Sequence, residues 1–176
     1  MRALQYRRVA LAVGLIAAAG TGLGSVAAFA AQTTTTGATI TVTLWDKGTD
    51  SATPDDAHPM GFGTKGADMA MAMLGVKTDV ATVPAGNVTF NVTNGSKDIV
   101  HEMILSPLPA DGSGMPYVAA DYKVDEDAAG HLGEVSELEV GKTGSLTLDL
   151  KPGKYILFCN IPAHFMNGMW TVVTVK

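Results

Sequence analysis

The chain has 176 residues, of which 17 are acidic and 12 are basic, for a formal net charge of −5. This acidic balance argues against nucleic acid as a partner, because nucleic-acid-binding domains present clustered basic side chains to the phosphates. The only cysteine, Cys159, excludes a disulfide within the chain. It is therefore a buried core residue without a chemical role, a site of intermolecular disulfide pairing or a functional thiolate.

Residues 1–30 are organised like an export signal. Three arginines precede a long apolar run, which ends in the small-x-small sequence Ala28-Phe29-Ala30. This layout predicts a cleaved signal peptide and a periplasmic, extracellular or cell-surface location. The alternative is an uncleaved membrane anchor, because residues 9–30 are just long enough to cross a bilayer. After cleavage, nine basic residues would remain against 17 acidic ones, a net charge of −8 that should avoid anionic lipid.

The rest of the chain predicts one domain over residues 39–176, after a flexible stretch over residues 31–38. Short segments that are either mostly apolar or alternate apolar and β-branched residues with polar ones are separated by turns rich in Gly, Pro and Asn. In chain order they cover residues 39–45, 87–92, 99–105, 145–150, 155–159 and 170–176. Short strands at this spacing are typical of an all-β sandwich, and we expect its strands to pair antiparallel.

Two long stretches interrupt this strand pattern, residues 46–77 and residues 107–140. The first is rich in Gly, Asp and Met, and the second in Gly, Asp, Glu and Ala. We interpret both as long loop insertions, with a helical turn near residues 67–74 or 117–122.

The sequence FCNIPAHFMNGMW, residues 158–170, contains three side chains that bind metals. Cys159 ends a predicted strand, His164 follows five residues later, and Met169 five residues after that. A strand–loop–strand unit can turn these donors toward one point, and His101, just after the turn at residues 94–97, is a candidate for a fourth donor. Two imidazoles, a thiolate and a weak thioether form the ligand set of a blue-copper electron-transfer site.

Other chemistries fit parts of this pattern. Zinc binds Cys and His but gains little from a thioether. A Cys–His nucleophile pair is conceivable, but no oxyanion loop or orienting group is recognisable, so we do not expect an enzyme. A multicopper oxidase or nitrite reductase would need further histidine clusters, and only His58 and His131 are left over.

The same residues resemble a known family. Residues 155–170, YILFCNIPAHFMNGMW, resemble the copper loop of cupredoxins, closest to rusticyanin- and sulfocyanin-like members, and residues 88–103 are similar to the strand and turn that lead to the first histidine. The resemblance implies a Greek-key β-sandwich that binds one type 1 copper ion through His101, Cys159, His164 and Met169. Ala163 stands where those relatives usually carry Gly. Glu102 stands where many have Asn or Ser bonding across to the cysteine strand.

The resemblance also implies a function and a docking surface. We expect an exported, monomeric one-electron carrier whose redox partner is a cytochrome or an oxidase. In the family, the partner docks on apolar residues around the loop histidine, here Ile161, Pro162, Ala163, Phe165 and Met166. The acidic residues Asp121, Asp125, Glu126 and Asp127 are interpreted as a solvated loop, with steering of a basic partner as the alternative.

A second group of soft donors supports an alternative function. The sequence HPMGFGTKGADMAMAM, residues 58–73, contains His58 and four methionines, a set suited to Cu(I). It predicts either methionine packing in the core or a protein for copper trafficking or copper tolerance. We expect Met103 to pack beside the metal rather than to bind it, and His131 to lie at the surface.

Overall fold

The computed structural model describes residues 37–176, so the predicted signal peptide lies outside the described residues. In chain order the strands are β1 (Ala38–Asp46), β2 (Leu74–Thr78), β3 (Thr82–Val83), β4 (Gly86–Asn94), β5 (His101–Pro107), β6 (Tyr117–Val118), β7 (Lys123–Val124), β8 (Gly133–Leu138), β9 (Thr143–Leu150), β10 (Gly153–Phe158) and β11 (Trp170–Val175). Short 3-10 turns cover Thr49–Ala52 and Met69–Met71. No helix among residues 37–176 is long and apolar enough to span a membrane.

The strands form two main sheets and one short ribbon. The first sheet has the order β2-β1-β4-β9, the second has the order β3-β11-β10-β5-β8, and β6 pairs with β7. The expectation that all strands pair antiparallel is wrong for two pairs, because β1 runs parallel to β4 and β3 runs parallel to β11. The connection from β1 to β4 spans residues 47–85, which is long enough to return the chain to the same end of the sheet.

Alternation along the strands builds the core between the two sheets. In β1 the side chains of Ile40, Val42 and Leu44 are fully buried, while the intervening residues are more exposed. β4 repeats the pattern with Val88 and Phe90. Burying an aliphatic or aromatic side chain of this size stabilises the folded state by roughly 1.5–3 kcal/mol. The predicted all-β sandwich is confirmed.

The two predicted insertions contain strands that the sequence pattern did not indicate. β2 pairs with β1 at the edge of the first sheet, and β8 pairs with β5 at the edge of the second. The predicted helical turn near residues 67–74 is present as the 3-10 turn Met69–Met71, whereas Tyr117–Val118 is extended. Both insertions therefore extend the sandwich instead of only looping away from it.

The insertions also cover the outer face of the second sheet. A second hydrophobic cluster contains residues of β5, β10, the second insertion and the loop before β11: Ile104, Met115, Val124, Ile156, Phe158 and Phe165. Phe62 and Leu108 pack against this cluster from the insertions. The second sheet is therefore buried on both faces, which explains the nearly continuous apolar run at Tyr155–Phe158 in β10.

Candidate metal centre

Three of the four predicted metal-binding side chains converge where β10 ends and β5 begins. His101 opens β5, Cys159 directly follows β10, and His164 lies in the loop before β11. The antiparallel pairing of β5 with β10 brings these positions together. Nδ1 of His164 lies 3.2 Å from Sγ of Cys159 and 3.3 Å from Nδ1 of His101. The donor atoms of the three residues all lie within 4.8 Å of one another.

The loop of residues 159–169, called the copper loop below, is closed by its own backbone. The Cys159 amide donates to the carbonyl oxygen of Met169 at 3.1 Å, and the Met169 amide donates to the carbonyl oxygen of His164 at 3.0 Å. Ala163 has a φ of 71°, a left-handed conformation that favours glycine. A glycine at this position would adopt the same conformation without strain.

Met169 shares the buried environment of Cys159. Its side chain has no exposed surface, and both residues belong to the core cluster between the sheets. Met103 is fully buried in the same cluster. The weak axial role of Met169 therefore stays a prediction, with Met103 as the alternative donor to test.

Asp46 is a functional residue that the sequence analysis missed. Its side chain is fully buried, and Oδ2 lies 3.0 Å from Nε2 of His101. A carboxylate only accepts hydrogen bonds, so this contact places the imidazole proton on Nε2 and leaves the Nδ1 lone pair free for a metal. The alternation along β1 could have identified it, because Asp46 is the next residue on the inward-facing side after Ile40, Val42 and Leu44.

Glu102 and Asn160 hold the cysteine side of the cluster. The backbone amide of Glu102 donates to Sγ of Cys159 at 3.5 Å. The side-chain Oε1 of Glu102 accepts from the backbone amide of Asn160 at 3.1 Å. Glu102 therefore bonds across to the residues that follow β10 through both its backbone amide and its carboxyl group. Burial, assisted by the nearby Glu134 and Glu126, raises the pKa of the Glu102 carboxyl.

Asn160 is a second residue that the sequence analysis missed. Its side chain accepts from the Val124 amide at 2.7 Å and donates to the Val124 carbonyl oxygen at 2.9 Å. It also donates to Oε1 of Glu126 at 2.8 Å. These bonds tie the second insertion to the residue that follows Cys159.

A family model matches residues 62–176, more than half of the chain, and it describes copper-binding proteins of the plastocyanin/azurin family. The chain belongs to this family. The resemblance to cupredoxins is thereby confirmed, and with it the binding of one copper ion at a site that the His101–Cys159–His164 cluster fits.

Several solved cupredoxin structures are similar to this chain. A dithionite-reduced auracyanin from Roseiflexus castenholzii is 21% identical, the match covers 80% of this chain and 99% of that chain, and the TM-score is 0.46. A rusticyanin from Thiobacillus ferrooxidans is 19% identical, with 80% and 79% covered and a TM-score of 0.47. An auracyanin B structure is 22% identical, with 80% and 91% covered and a TM-score of 0.45. Among curated protein sequences, no significant match was found.

The donor set of this cupredoxin suits copper, because a thiolate favours Cu(I) and imidazole suits both oxidation states. In the metal-free protein, burial raises the pKa of the Cys159 thiol to about 12. Burial, with a smaller contribution from the neighbouring His101, lowers the pKa of His164 to about 4. Burial also lowers the pKa of His101, against the opposing effect of Asp46. Both imidazoles are therefore neutral at pH 7, and the thiol must lose its proton when it becomes a ligand.

His164 is completely enclosed in this cupredoxin. It has no exposed surface, and its Nε2 has no hydrogen-bond partner among residues 37–176.

Of the five apolar residues expected to form a docking surface, only Pro162 is exposed, two are half-buried, and Ala163 and Phe165 are buried. Phe165 turns inward, with its ring centroid 5.7 Å from that of Phe158. The apolar surface around His164 is therefore smaller than the five apolar residues of the loop sequence would suggest, because two of them are buried.

The methionine segment, residues 58–73, lies directly against the copper loop. The Met60 amide donates to the carbonyl oxygen of Met166 at 2.6 Å, and Nε1 of Trp170 donates to the Met60 carbonyl oxygen at 2.8 Å. Met60 is buried, but the other three methionines of the segment are exposed: Met69, Met71 and Met73. The core-packing interpretation therefore holds for Met60 alone.

The remaining candidates lie at the surface. Asp121, Asp125 and Asp127 are exposed, and Glu126 is half-buried by its bond to Asn160. His131 is exposed as expected, with Nε2 at 3.9 Å from Oε2 of Glu134.

Proposed function

We propose that this cupredoxin is a type 1 blue-copper electron carrier. In this proposal His101, Cys159 and His164 are the strong ligands, and Met169 is the weak axial ligand. The observation that carries it is the complete burial of all four side chains. Their donor atoms are shielded from solvent, which suits transfer of an electron through the protein better than reaction with a substrate. We accordingly propose that the protein is not an enzyme.

The chain's contribution is a donor set that is held before the metal arrives. Bound copper supplies a one-electron couple between Cu(II) and Cu(I). Asp46 orients one imidazole, the Glu102 amide points at the sulfur, and backbone bonds close the copper loop. Side chains fixed in this way need little rearrangement between the two oxidation states, which supports rapid electron exchange.

The cellular setting is part of the same proposal. The signal-like sequence of residues 1–30 and the domain over residues 39–176 support an exported monomer in the periplasm or at the cell surface. A small cytochrome or an oxidase is the proposed redox partner. N-terminal sequencing of the protein recovered from its host should begin near Ala31, and an intact N-terminus in a membrane fraction would favour an uncleaved anchor.

The ligand proposal is tested by a visible spectrum of the copper-loaded protein. We expect one tightly bound copper and a strong thiolate-to-Cu(II) charge-transfer band. Cys159→Ser should abolish the band while the far-ultraviolet circular dichroism stays that of a β-protein, because the core between the sheets supplies most of the buried apolar area. A colourless Cu(II) complex, or colour that survives in the variant, would contradict the ligand set.

The electron-carrier role is tested by kinetics. The copper-loaded protein should be oxidised and reduced rapidly by a small soluble cytochrome or an inorganic couple, and it should keep its copper through repeated cycles. Loss of copper to a chelator during each reduction would favour the alternative, copper trafficking.

A further inference from the structure

We propose that His58, Met71 and Met73 form a second copper site, selective for Cu(I) and exchangeable with solvent, on a cavity beside the copper loop. This site is separate from the buried cluster, and it does not depend on the electron-carrier role.

The methionines of this site are exposed without a packing role. Met71 is 66% exposed and Met73 is 41% exposed, whereas Met60 in the same segment is 6% exposed. Large apolar side chains that cluster at the surface usually mark a binding function. Thioethers are also soft donors that prefer Cu(I) to hard cations. Their position at the surface keeps these sulfur atoms available to an incoming ion.

His58, Met71 and Met73 all line one cavity of about 630 Å³. Three carboxylates line it, those of Asp50, Asp55 and Asp68, against the single ammonium group of Lys65. This excess of negative charge attracts cations into the cavity. The carboxylates alone would not distinguish a soft cation from a hard one, so selectivity must come from the sulfur and imidazole donors.

Asn167 forms a polar wall of the same cavity and belongs to the copper loop. It is 5% exposed, and its Nδ2 donates to the carbonyl oxygens of Ser51 and Thr53 at 2.9 and 2.7 Å. Its Oδ1 has no hydrogen-bond partner among residues 37–176. Buried amide oxygens are rarely left unpaired, so this atom indicates that a water molecule or a hydrated ion belongs in the cavity.

His58 is oriented as a metal-binding histidine. Its Nδ1 lies 3.1 Å from Oδ2 of Asp55, and its backbone amide donates to Oδ1 of the same residue at 3.2 Å. A carboxylate at one ring nitrogen fixes the tautomer and leaves the other nitrogen, Nε2, as the donor. Asp55 thus contacts His58 as Asp46 contacts His101, but the His58–Asp55 pair is exposed, at 79% and 47%, whereas the His101–Asp46 pair is fully buried.

The position of the segment relative to the copper loop is set by backbone contacts. Besides the bonds of Met60 described above, the Lys47 amide donates to the carbonyl oxygen of Met73 at 2.8 Å. The side chains of Met71 and Met73 stay accessible to solvent, at 66% and 41% exposed. A site with exposed donors releases its ion more readily than a buried one, which is the basis for the predicted exchange.

Anaerobic titration of the fully reduced, copper-loaded protein tests the proposal. Cu(I) is added in competition with a chromophoric Cu(I) chelator, and the metal retained is counted. We expect one additional Cu(I) that excess chelator removes, while the first copper stays bound. The Met71→Leu/Met73→Leu variant should bind the additional ion on the order of tenfold or more weakly. Met69→Leu, which replaces an exposed methionine that does not line the cavity, is the matched control and should bind it normally.

The same titration in the Cys159→Ser variant separates this proposal from the proposed function. Loss of the buried thiolate should leave the additional Cu(I) in place, and the Leu variants should keep the charge-transfer band. Binding of Ag(I), a soft ion without redox chemistry, at the same stoichiometry would support the site. The proposal is overturned if no additional Cu(I) binds, if the double variant binds it as the wild type does, or if Zn²⁺ binds there as tightly.

Discussion

The copper loop and the methionine segment share two kinds of donor atom, imidazole nitrogen and thioether sulfur, in opposite surroundings. In the copper loop, His164 and Met169 have no exposed surface, whereas in the methionine segment Met71 is 66% exposed. The two regions lie next to each other in the fold, and each has a histidine–carboxylate pair beside it or within reach, His101 with Asp46 at the buried cluster and His58 with Asp55 at the methionine segment. We therefore expect burial and supporting hydrogen bonds, together with the Cys159 thiolate, to hold a metal more firmly at the buried cluster than at the methionine segment.

The support of the buried cluster is formed during folding. Asp46 reaches the cluster from β1, Glu102 from β5 and Asn160 from the copper loop, and their bonds are complete without metal. Ordering these side chains is therefore a cost of folding and not of binding. In the methionine segment the side chains lose their freedom only when an ion arrives, which lowers the affinity.

The largest expected effect of burial is on the reactivity of the Cys159 thiol, compared between the folded and the denatured protein. In the metal-free folded protein, Cys159 should react with iodoacetamide on the order of a thousandfold more slowly at pH 8 than in denaturant. The reason is that burial raises its pKa from 9.0 to about 12, and each unit lowers the thiolate fraction tenfold. Mass spectrometry reports one label, since the chain has no other cysteine. Rates within tenfold of each other would mean that the copper loop opens freely.

The same shift predicts how the stability of the metal-free protein depends on pH. The unfolded thiol ionises near pH 9.0 and the folded thiol near pH 12, so the folded state keeps a proton that the unfolded state releases. This contribution to stability is fully present below pH 9 and is lost as the pH rises toward 12. Urea unfolding between pH 8 and 11 should show the decline. In the Cys159→Ser control the part of the decline due to the thiol should be absent.

Removal of the buried carboxylate should weaken the copper centre next. Asp46→Asn leaves the size of the side chain unchanged but removes the charge that orients His101, so copper affinity should fall by roughly 10–100-fold. The measurement is competition with a copper chelator. Asp149→Asn, at an exposed position of β9 in the same sheet, is the control and should keep the wild-type affinity. Equal affinities in both variants would mean that Asp46 does not support the ligand.

Oxidation should separate the methionines by their exposure. Brief treatment of the copper-loaded protein with hydrogen peroxide should convert Met71 and Met73 to sulfoxides before Met103 and Met169, because only the first pair is accessible. Peptide mass spectrometry gives the order. Early oxidation of Met169 would show that the copper loop is open in solution, so that its methionine is as accessible as those of the methionine segment.

The axial position should respond to substitution by a shift in reduction potential. A thioether weakly stabilises Cu(II), so Met169→Leu should raise the potential and Met169→Gln should lower it. Met103→Leu is the control, and it should leave the potential close to that of the wild type. If the control shifts the potential and the Met169 variants do not, Met103 is the axial donor.

The smallest expected effect concerns the strained turn of the copper loop. Ala163 has a φ of 71°, so Ala163→Gly should relieve roughly 1–2 kcal/mol of backbone strain. The greater freedom of glycine in the unfolded chain offsets about 0.4–1 kcal/mol of this gain. A small net rise in the free energy of unfolding follows. Gly168→Ala should have the opposite effect, because its φ is 99° and an added Cβ would lie 3.2 Å from Cβ of Ala72.

The sequence alone predicted most of the strands and the donor residues of the buried cluster. Alternation is a local property of a strand, so β1, β4, β9, β10 and β11 were predicted close to their observed bounds. The spacing of Cys159, His164 and Met169 is equally local, because one loop carries all three. β2 and β8 escaped prediction because neither alternates: β2, LGVKT, is mostly buried, and β8, GEVSEL, has few apolar residues.

Only the tertiary structure decided the rest. The parallel pairing of β1 with β4, the contact of Asp46 with His101 and the bond from Asn160 to Glu102 all join residues far apart in the chain. The sequence by itself determined the donor types of the buried cluster and of the methionine segment. Which donors became buried was decided by the insertions and by the packing of the two sheets, because burial depends on every element that covers a residue and not on its neighbours in the chain.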